Sequence, residues 1–191
     1  MQALRVLGLG DNTIDTYVDI GRQFPGGNAV NVAVLARRLG AEAAYLGCLG
    51  RDGAGDLLRA ALDAEGVART QCRDVAGPNA RAFIAHNAGD RRFIRSERGV
   101  RGAWGGFSAA DLAYLSIFDL VHSSIYSELE SDLARLRPSI RRLSFDFSER
   151  WTGDNLRALC PLVDFAFLSH PRGGDDDCAG LAHKQGRRPH S

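Results

Sequence analysis

Hydrophobic and polar positions follow two alternating periods along most of the chain. Short apolar runs at 4–9 and 43–50 predict buried strands. Between these runs, residues 28–39 carry apolar side chains at helical spacing and end at Gly40, which predicts an α-helix. The predicted apolar face of that helix consists of Val32, Leu35, Ala36 and Leu39.

The alternation continues beyond residue 50. A second helix is predicted at 54–65, with Leu58, Ala61 and Leu62 on its apolar face. Further strands are predicted at 119–124, 142–148 and 164–169, and further helices near 108–116, 128–137 and 153–160. Strands that alternate with helices favour an α/β fold with a doubly wound parallel sheet and helices on both faces.

Two segments depart from this alternation. Residues 16–21 and 80–95 have the pattern of antiparallel strands, and "NAGD" in the second is a hairpin turn signal. We expect them to form a small antiparallel β lid over a ligand, built from segments at about 11–25 and 80–100. The last residues, 172–191, have neither period, so we expect a domain over 1–171 and a disordered tail.

Composition narrows the classes of function. The 24 basic and 23 acidic residues give a formal net charge of +1, which offers no electrostatic reason to bind nucleic acid or a membrane surface. No apolar run is long enough to span a bilayer. The cysteines have no zinc or disulfide spacing, so we expect reduced thiols, no metal site and a cytoplasmic protein. They are Cys48, Cys72, Cys160 and Cys178.

The segment "GLGDNTID" places polar residues directly after the first predicted strand. It is not a dinucleotide-binding fingerprint, because Thr13 occupies the third glycine position and no helix follows. Asp11, Asn12 and Asp15 lie instead where open α/β sheets bind their ligands, and they suit hydrogen bonds to a polyol. The alternative is that they are turn residues that satisfy backbone amides.

The segment "FPGGNAVN" is more specific. Gly26 and Gly27 allow the backbone to approach a ligand without an intervening Cβ. Asn28 can cap the helix that follows, and Asn31 lies one turn further on the same side as the glycines. His122, in "VHSS", ends a predicted core strand, and we expect it to serve hydrogen bonding in or near the core.

Three segments in this order, "GDNTID", "GGNAVNVAVLARRLG" and "LGCLGRDGAGDLL", resemble the amino-terminal half of the ribokinase-like (phosphofructokinase-B-type) carbohydrate kinases. The resemblance continues through "DLVHSSIY" and "SFDFSERW" to about Ser169. It implies a doubly wound α/β domain with a β lid, and it implies ATP and Mg²⁺. It also implies phosphoryl transfer from ATP to a hydroxyl of a sugar or sugar-amine such as fructoselysine.

The resemblance assigns roles to several residues. Asp11 and Asp15 would bind substrate hydroxyls. Gly26, Gly27 and Asn31 would line the same pocket.

The second lid segment adds two candidates. Arg95 and Glu97 would meet the polar end of the substrate, the alternative being that they are solvated lid charges. A homodimer through the lid is a further expectation.

The string Gly53-Ala54-Gly55-Asp56 copies the family's catalytic motif, but it lies in the wrong part of the chain. In the family that motif comes late, where its amides form an anion hole and its aspartate is the general base. Here we expect Asp56 to be a first-turn acid of a helix, and no second copy follows before Ser191. The sequence therefore predicts a truncated kinase without its catalytic aspartate, weakly active or inactive. The alternatives are a non-catalytic sugar-binding or interaction module, and a product that does not fold stably.

Overall fold

The structure, a computed structural model, describes residues 3–87 and 90–169. The expected tail lies outside the described residues. A five-stranded sheet forms the core. Its strands are β1 (Arg5–Leu9), β4 (Glu42–Leu46), β9 (Leu120–Ser124), β10 (Leu143–Asp146) and β11 (Phe165–Phe167). They lie in the order β11-β10-β9-β1-β4, and every neighbouring pair is parallel.

Helices cover both faces of this sheet. They are α1 (Asn28–Arg38), α2 (Gly53–Ala64), α3 (Ala109–Ser116), α4 (Leu133–Leu136) and α5 (Gly153–Leu159). Along β4, Ala44 and Leu46 join one hydrophobic cluster, whereas Tyr45 joins the other, which includes α1 and α2 residues. Because successive strand side chains point to opposite faces, this division confirms the predicted doubly wound α/β fold. No helix in the described part of the chain is long and apolar enough to cross a membrane.

A second, four-stranded sheet forms the lid. Its strands are β2 (Thr13–Tyr17), β3 (Arg22–Gly26), β7 (Arg81–Asn87) and β8 (Asp90–Glu97), in the order β3-β2-β7-β8. The outer pairs are antiparallel, and the central pair β2–β7 is parallel, so both predicted lid segments meet in one sheet. The prediction of a strand at 16–21 is wrong, because β2 ends at Tyr17 and a turn over residues 18–21 follows, with Gly21 at φ 62°.

The predicted strand at 43–50 is two strands. After β4 the chain leaves the main sheet at Gly47 and forms β5 (Cys48–Gly50), which pairs in parallel with β6 (Arg73–Val75). A Cβ on Gly47 would lie 1.9 Å from the hydroxyl oxygen of Tyr45. The break therefore lies where the packing leaves no room for a side chain.

The bounds predicted for α1 are close to those observed, but its predicted buried face is wrong. The helix buries its small side with Ala29 and Ala33, whereas Leu35 is 54% exposed and Leu39 is 88% exposed. A Cβ on Gly8 would lie 2.1 Å from the carbonyl oxygen of Ala29. The close approach of α1 to β1 selects the small residues for the interface and leaves the leucines outside.

The helix predicted over 128–137 is also wrong in extent. Only Leu133–Leu136 are α-helical, and a single 3₁₀ turn follows. Glu128 lies in the left-handed region at φ 55°, which interrupts a right-handed helix, and its carboxylate forms ion pairs with Arg98 and Arg101.

Candidate functional site

Asp11 joins the end of β1 to the start of α1. Its carboxylate accepts hydrogen bonds from the backbone N–H groups of Asn28 (2.5 Å) and Ala29 (3.3 Å). The hydroxyls of Ser124 and Ser127 donate to the same carboxylate at 2.7 and 3.1 Å. The residue is only 4% exposed. A buried carboxylate thus occupies the positive end of α1 and fixes the two glycines that precede the helix.

A directional chain of hydrogen bonds crosses the carboxyl edge of the sheet. The side-chain amide of Asn28 donates to Asp146 (2.5 Å), so its carbonyl oxygen accepts from Nε2 of His122. The other ring nitrogen, Nδ1, then accepts from the hydroxyl of Ser144 at 2.8 Å, because a neutral imidazole has one donor and one acceptor. Burial lowers the pKa of His122, with the charges of Asp11 and Asp146 opposing it. The ring is therefore neutral at pH 7.

Asn12 is 2% exposed and is held entirely by protein groups. Its amide nitrogen donates to the hydroxyl of Tyr45 (2.8 Å) and to the carbonyl of Cys48 (2.9 Å). Its carbonyl oxygen accepts from Asn79 at 2.9 Å. Both amide hydrogens are used, so this geometry favours a role in positioning over direct contact with a ligand.

Asp15 and the paired glycines form the second part of the site. Asp15 is half-buried on β2, and a Cβ on Gly26 would lie 3.0 Å from its Oδ2. Gly27 has φ 108°, and a Cβ there would lie 2.5 Å from the Cα of Asn12. Asn31 follows on the first turn of α1 with an exposed side chain. The two glycines thus allow the backbone to pack closely against Asp15 and Asn12.

Arg95 and Glu97 do not join this group. They form an ion pair with each other, and the Arg95 guanidinium lies 3.8 Å from the centre of the Phe83 ring. In the strand register they share the face of Ile14, whereas Asp15 lies on the opposite face of the lid sheet. We therefore leave both residues out of the candidate site.

The Gly-Ala-Gly-Asp string lies at the start of α2, which is capped by the preceding residue. Asp52 accepts from the backbone N–H of Gly55 at 2.9 Å and forms an ion pair with Arg81. Burial by itself would raise the pKa of Asp52, but these contacts lower that pKa overall. Asp56 is exposed and pairs with Arg59 at 3.0 Å. The geometry matches the expected first-turn acid.

We assign no nucleotide site to the described residues. At the start of each of α1, α2, α3 and α5, at least one backbone N–H group already donates to a protein side chain. These side chains belong to Asp11, Asp52, Ser108 and Thr152. Within residues 3–87 and 90–169, no cluster of three or more histidine, cysteine or acidic side chains could hold a metal ion.

Sequence reasoning missed Asp146, Ser124 and Ser127. All three lie at or just beyond the carboxyl ends of β9 and β10, the rule by which Asp11 was found. Asp146 could have been found from the sequence, because it ends the strand-like segment "SFD" with an acidic residue. Nothing in the local pattern marks the serines, because their partner Asp11 lies more than one hundred residues earlier in the chain.

Two comparisons with known sequences bear on this site. The profile of the pfkB family carbohydrate kinases matches residues 7–171. Fructosamine kinase FrlD of Bacillus subtilis (strain 168) is 40% identical over 185 residues, which cover 94% of this chain and 64% of that protein. Fructoselysine 6-kinase of Shigella flexneri is 33% identical over 176 residues, which cover 92% of this chain and 66% of that protein. The chain thus spans about two thirds of the length of these relatives.

Solved structures agree on the fold. A fructokinase with bound ATP from Xylella fastidiosa superposes with a TM-score of 0.69 at 23% identity, over 85% of this chain and 56% of that one. A ribokinase from Thermotoga maritima gives 0.67 at 21% identity, over 87% of this chain and 59% of that one. These likenesses establish the ribokinase-like fold, and together with the sequence matches they show that the chain belongs to the pfkB family of carbohydrate kinases.

Proposed function

We propose that this protein binds a fructosamine, such as fructoselysine, for phosphorylation of a sugar hydroxyl by ATP. The observation that carries the proposal is the half-buried carboxylate of Asp15, which lies against Gly26 in the segment that follows β1 at the carboxyl edge of the sheet. A carboxylate at this edge suits a small polyol, whose hydroxyls need acceptors at close range. The 40% identity to a fructosamine kinase supports a sugar-amine as the substrate class.

Each residue of the site has a definite part in this proposal. Asp15 accepts hydrogen bonds from sugar hydroxyls, and Asn31 offers both a donor and an acceptor from the first turn of α1. Gly26 and Gly27 let the sugar lie against the backbone. Asp11 acts by positioning, since its carboxylate already receives four donors from the protein.

Membership of the family implies the use of ATP, which with Mg²⁺ would supply the phosphoryl group and neutralise its charge. Since we assign neither group a site among the described residues, we assign no step of phosphoryl transfer to them. Asp56 does not serve as the base in this proposal, because its carboxylate is exposed and paired with Arg59. We infer that the chain by itself binds sugar and shows little or no kinase turnover.

A second candidate function is a non-catalytic sugar-binding or interaction module. The observation in its favour is that protein side chains already accept hydrogen bonds at the amino termini of the longer described helices.

The lid leaves Phe93 and Ile94 exposed, by 66% and 52%, which supports a homodimer through the lid. A cytoplasmic location belongs to the kinase proposal, because intracellular ATP would be the phosphoryl donor.

Isothermal titration calorimetry of the intact chain tests the proposal. We expect saturable binding of fructoselysine without nucleotide, and weaker binding of free lysine. Absence of binding for fructoselysine and for fructose would contradict it. An assay with ATP, Mg²⁺ and fructoselysine tests the second inference, and turnover at about 1–100 s⁻¹, as in ordinary kinases, would overturn the assignment of little activity.

A further inference from the structure

An apolar groove runs between α1, α2 and the edge strand β3. Its volume is about 400 Å³. Eight of its eleven lining residues are apolar, and the larger ones include Phe24, Val34, Leu35, Leu58 and Leu62. Leu35 is 54% exposed and Phe24 is 39% exposed, so this apolar surface is not covered by the described part of the chain. Exposed apolar grooves of this kind are typical of binding sites.

The groove begins at the candidate sugar site. Asn31, on the first turn of α1, lines it, and so does Pro25, the residue before Gly26. Phe24 is the partner of Asp15 in the antiparallel pair β2–β3, so the two side chains share a face of the lid sheet. A group attached to a sugar at Asp15 could therefore extend along the groove.

The groove ends at a pair of opposite charges. Arg38, on the last turn of α1, donates from Nε to Glu65 at 2.9 Å, and a second guanidinium nitrogen contacts the same carboxylate. The hydrogen bond with Glu65 raises the pKa of Arg38, and the same bond lowers the pKa of Glu65. Both groups are charged at neutral pH, and the guanidinium keeps further N–H groups free of this pair.

From this arrangement we propose that the groove binds the amino-acid portion of the sugar-amine, with Arg38 meeting its α-carboxylate and Glu65 its α-ammonium. The inference rests on the proposed function and deepens it. The aliphatic chain of a lysine would lie on the groove's leucine and valine side chains. The carboxylate and the ammonium of the amino acid would then each face a protein group of opposite charge.

The dimensions agree with this assignment. Asn31 and Arg38 are seven residues apart, about 10 Å along the helix axis. The chain from the sugar-bound nitrogen of a lysine to its α-carbon spans about 6 Å when extended. Because helical side chains lean toward the N-terminus, Arg38 covers part of the remaining distance.

The test is calorimetric and uses the intact chain with two ligands. One is fructoselysine, and the other is N-pentylfructosamine, which keeps the five-carbon chain but lacks the carboxylate and the α-amino group. We expect fructoselysine to bind about tenfold more tightly, and Arg38→Gln to abolish that preference without weakening N-pentylfructosamine. Arg37→Gln is the matched control, because Arg37 is the neighbouring exposed cation and does not line the groove.

The outcomes separate the two proposals. If both ligands bind equally to the unaltered protein, or if Arg38→Gln and Arg37→Gln change the preference alike, the groove assignment is overturned while the sugar site stands. If neither ligand binds, the sugar site itself fails and the groove assignment fails with it. Thermal unfolding of each variant shows that the compared proteins are folded.

Discussion

Gly26 and Asp15 approach each other so closely that a side chain at residue 26 would press on the carboxylate. A Cβ on Gly26 would lie 3.0 Å from Oδ2 and 3.2 Å from Cγ of Asp15. Gly26 does not have a positive φ, so the requirement for glycine here is one of space. The pair therefore links the shape of the backbone to the position of the proposed sugar acceptor.

Gly26→Ala is expected to weaken sugar binding by about tenfold or more while the protein stays folded, since the new methyl displaces the Asp15 carboxylate. Calorimetry with fructoselysine measures the effect. Gly53→Ala is the matched control, because a Cβ at residue 53 meets nothing within 4 Å. Equal affinities for the two variants would show that the space between Gly26 and Asp15 does not matter for binding.

Asp11→Ala is expected to lower the free energy of unfolding by about 2–4 kcal/mol, because it leaves buried donors without an acceptor. Urea unfolding at pH 7 measures the loss. Asp154→Ala serves as the comparison, since that carboxylate is 92% exposed and pairs only with Arg157. A loss no greater than that of Asp154→Ala would remove the role of Asp11 as the link between β1 and α1.

The stability of the protein should fall as the pH drops below about 6.5, the ordinary pKa of histidine. The pKa of His122 is lower in the folded protein than in the unfolded chain, chiefly through burial. Between these two pKa values, the unfolded chain binds more protons than the folded protein. The contribution of His122 to stability is therefore complete above pH 6.5 and is lost as the pH falls toward the pKa of His122 in the folded protein. Urea unfolding at several pH values measures the slope.

Two variants assign that slope to one residue. His122→Gln should flatten it between about pH 5 and pH 6.5, above the ordinary range of the carboxylates. Gln23→Ala, at an exposed lid position without a titratable group, should leave it in place. An unchanged slope in His122→Gln would mean that another group titrates.

Asp56→Asn is expected to leave the affinity for fructoselysine unchanged within about twofold, since the exposed Asp56 carboxylate pairs with Arg59 at the surface of α2. The same titration used for the other variants measures it. A loss comparable to that of Gly26→Ala would place the Gly-Ala-Gly-Asp string in the sugar site after all.

Much of the fold is predictable from the sequence because the periodic signal is strong. The bounds of α1 and α2, the parallel sheet and the two lid segments follow from spacing and from turn residues. The buried face of α1 does not, because Gly8 on another strand decides that small residues and not leucines pack inward. The break at Gly47 depends in the same way on the side chain of Tyr45.

The candidate site is predictable only in part. Asp11, Asn12 and Asp15 were predicted as one group of ligand contacts, yet the structure gives them different surroundings. Asp11 and Asn12 are buried, whereas Asp15 is half-buried beside Gly26. Sequence position can place a residue at the carboxyl edge of the sheet, but the partners that occupy its hydrogen bonds come from distant segments.

The account depends on the carboxylate of Asp15 receiving the hydroxyls of a sugar-amine. Calorimetric titration of fructoselysine into the unaltered protein and into Asp15→Asn measures this directly. We expect saturable binding to the unaltered protein and a loss of about tenfold or more in the variant, because an amide replaces one acceptor oxygen by a donor. Equal affinity in the two proteins, with both folded, would contradict the central claim.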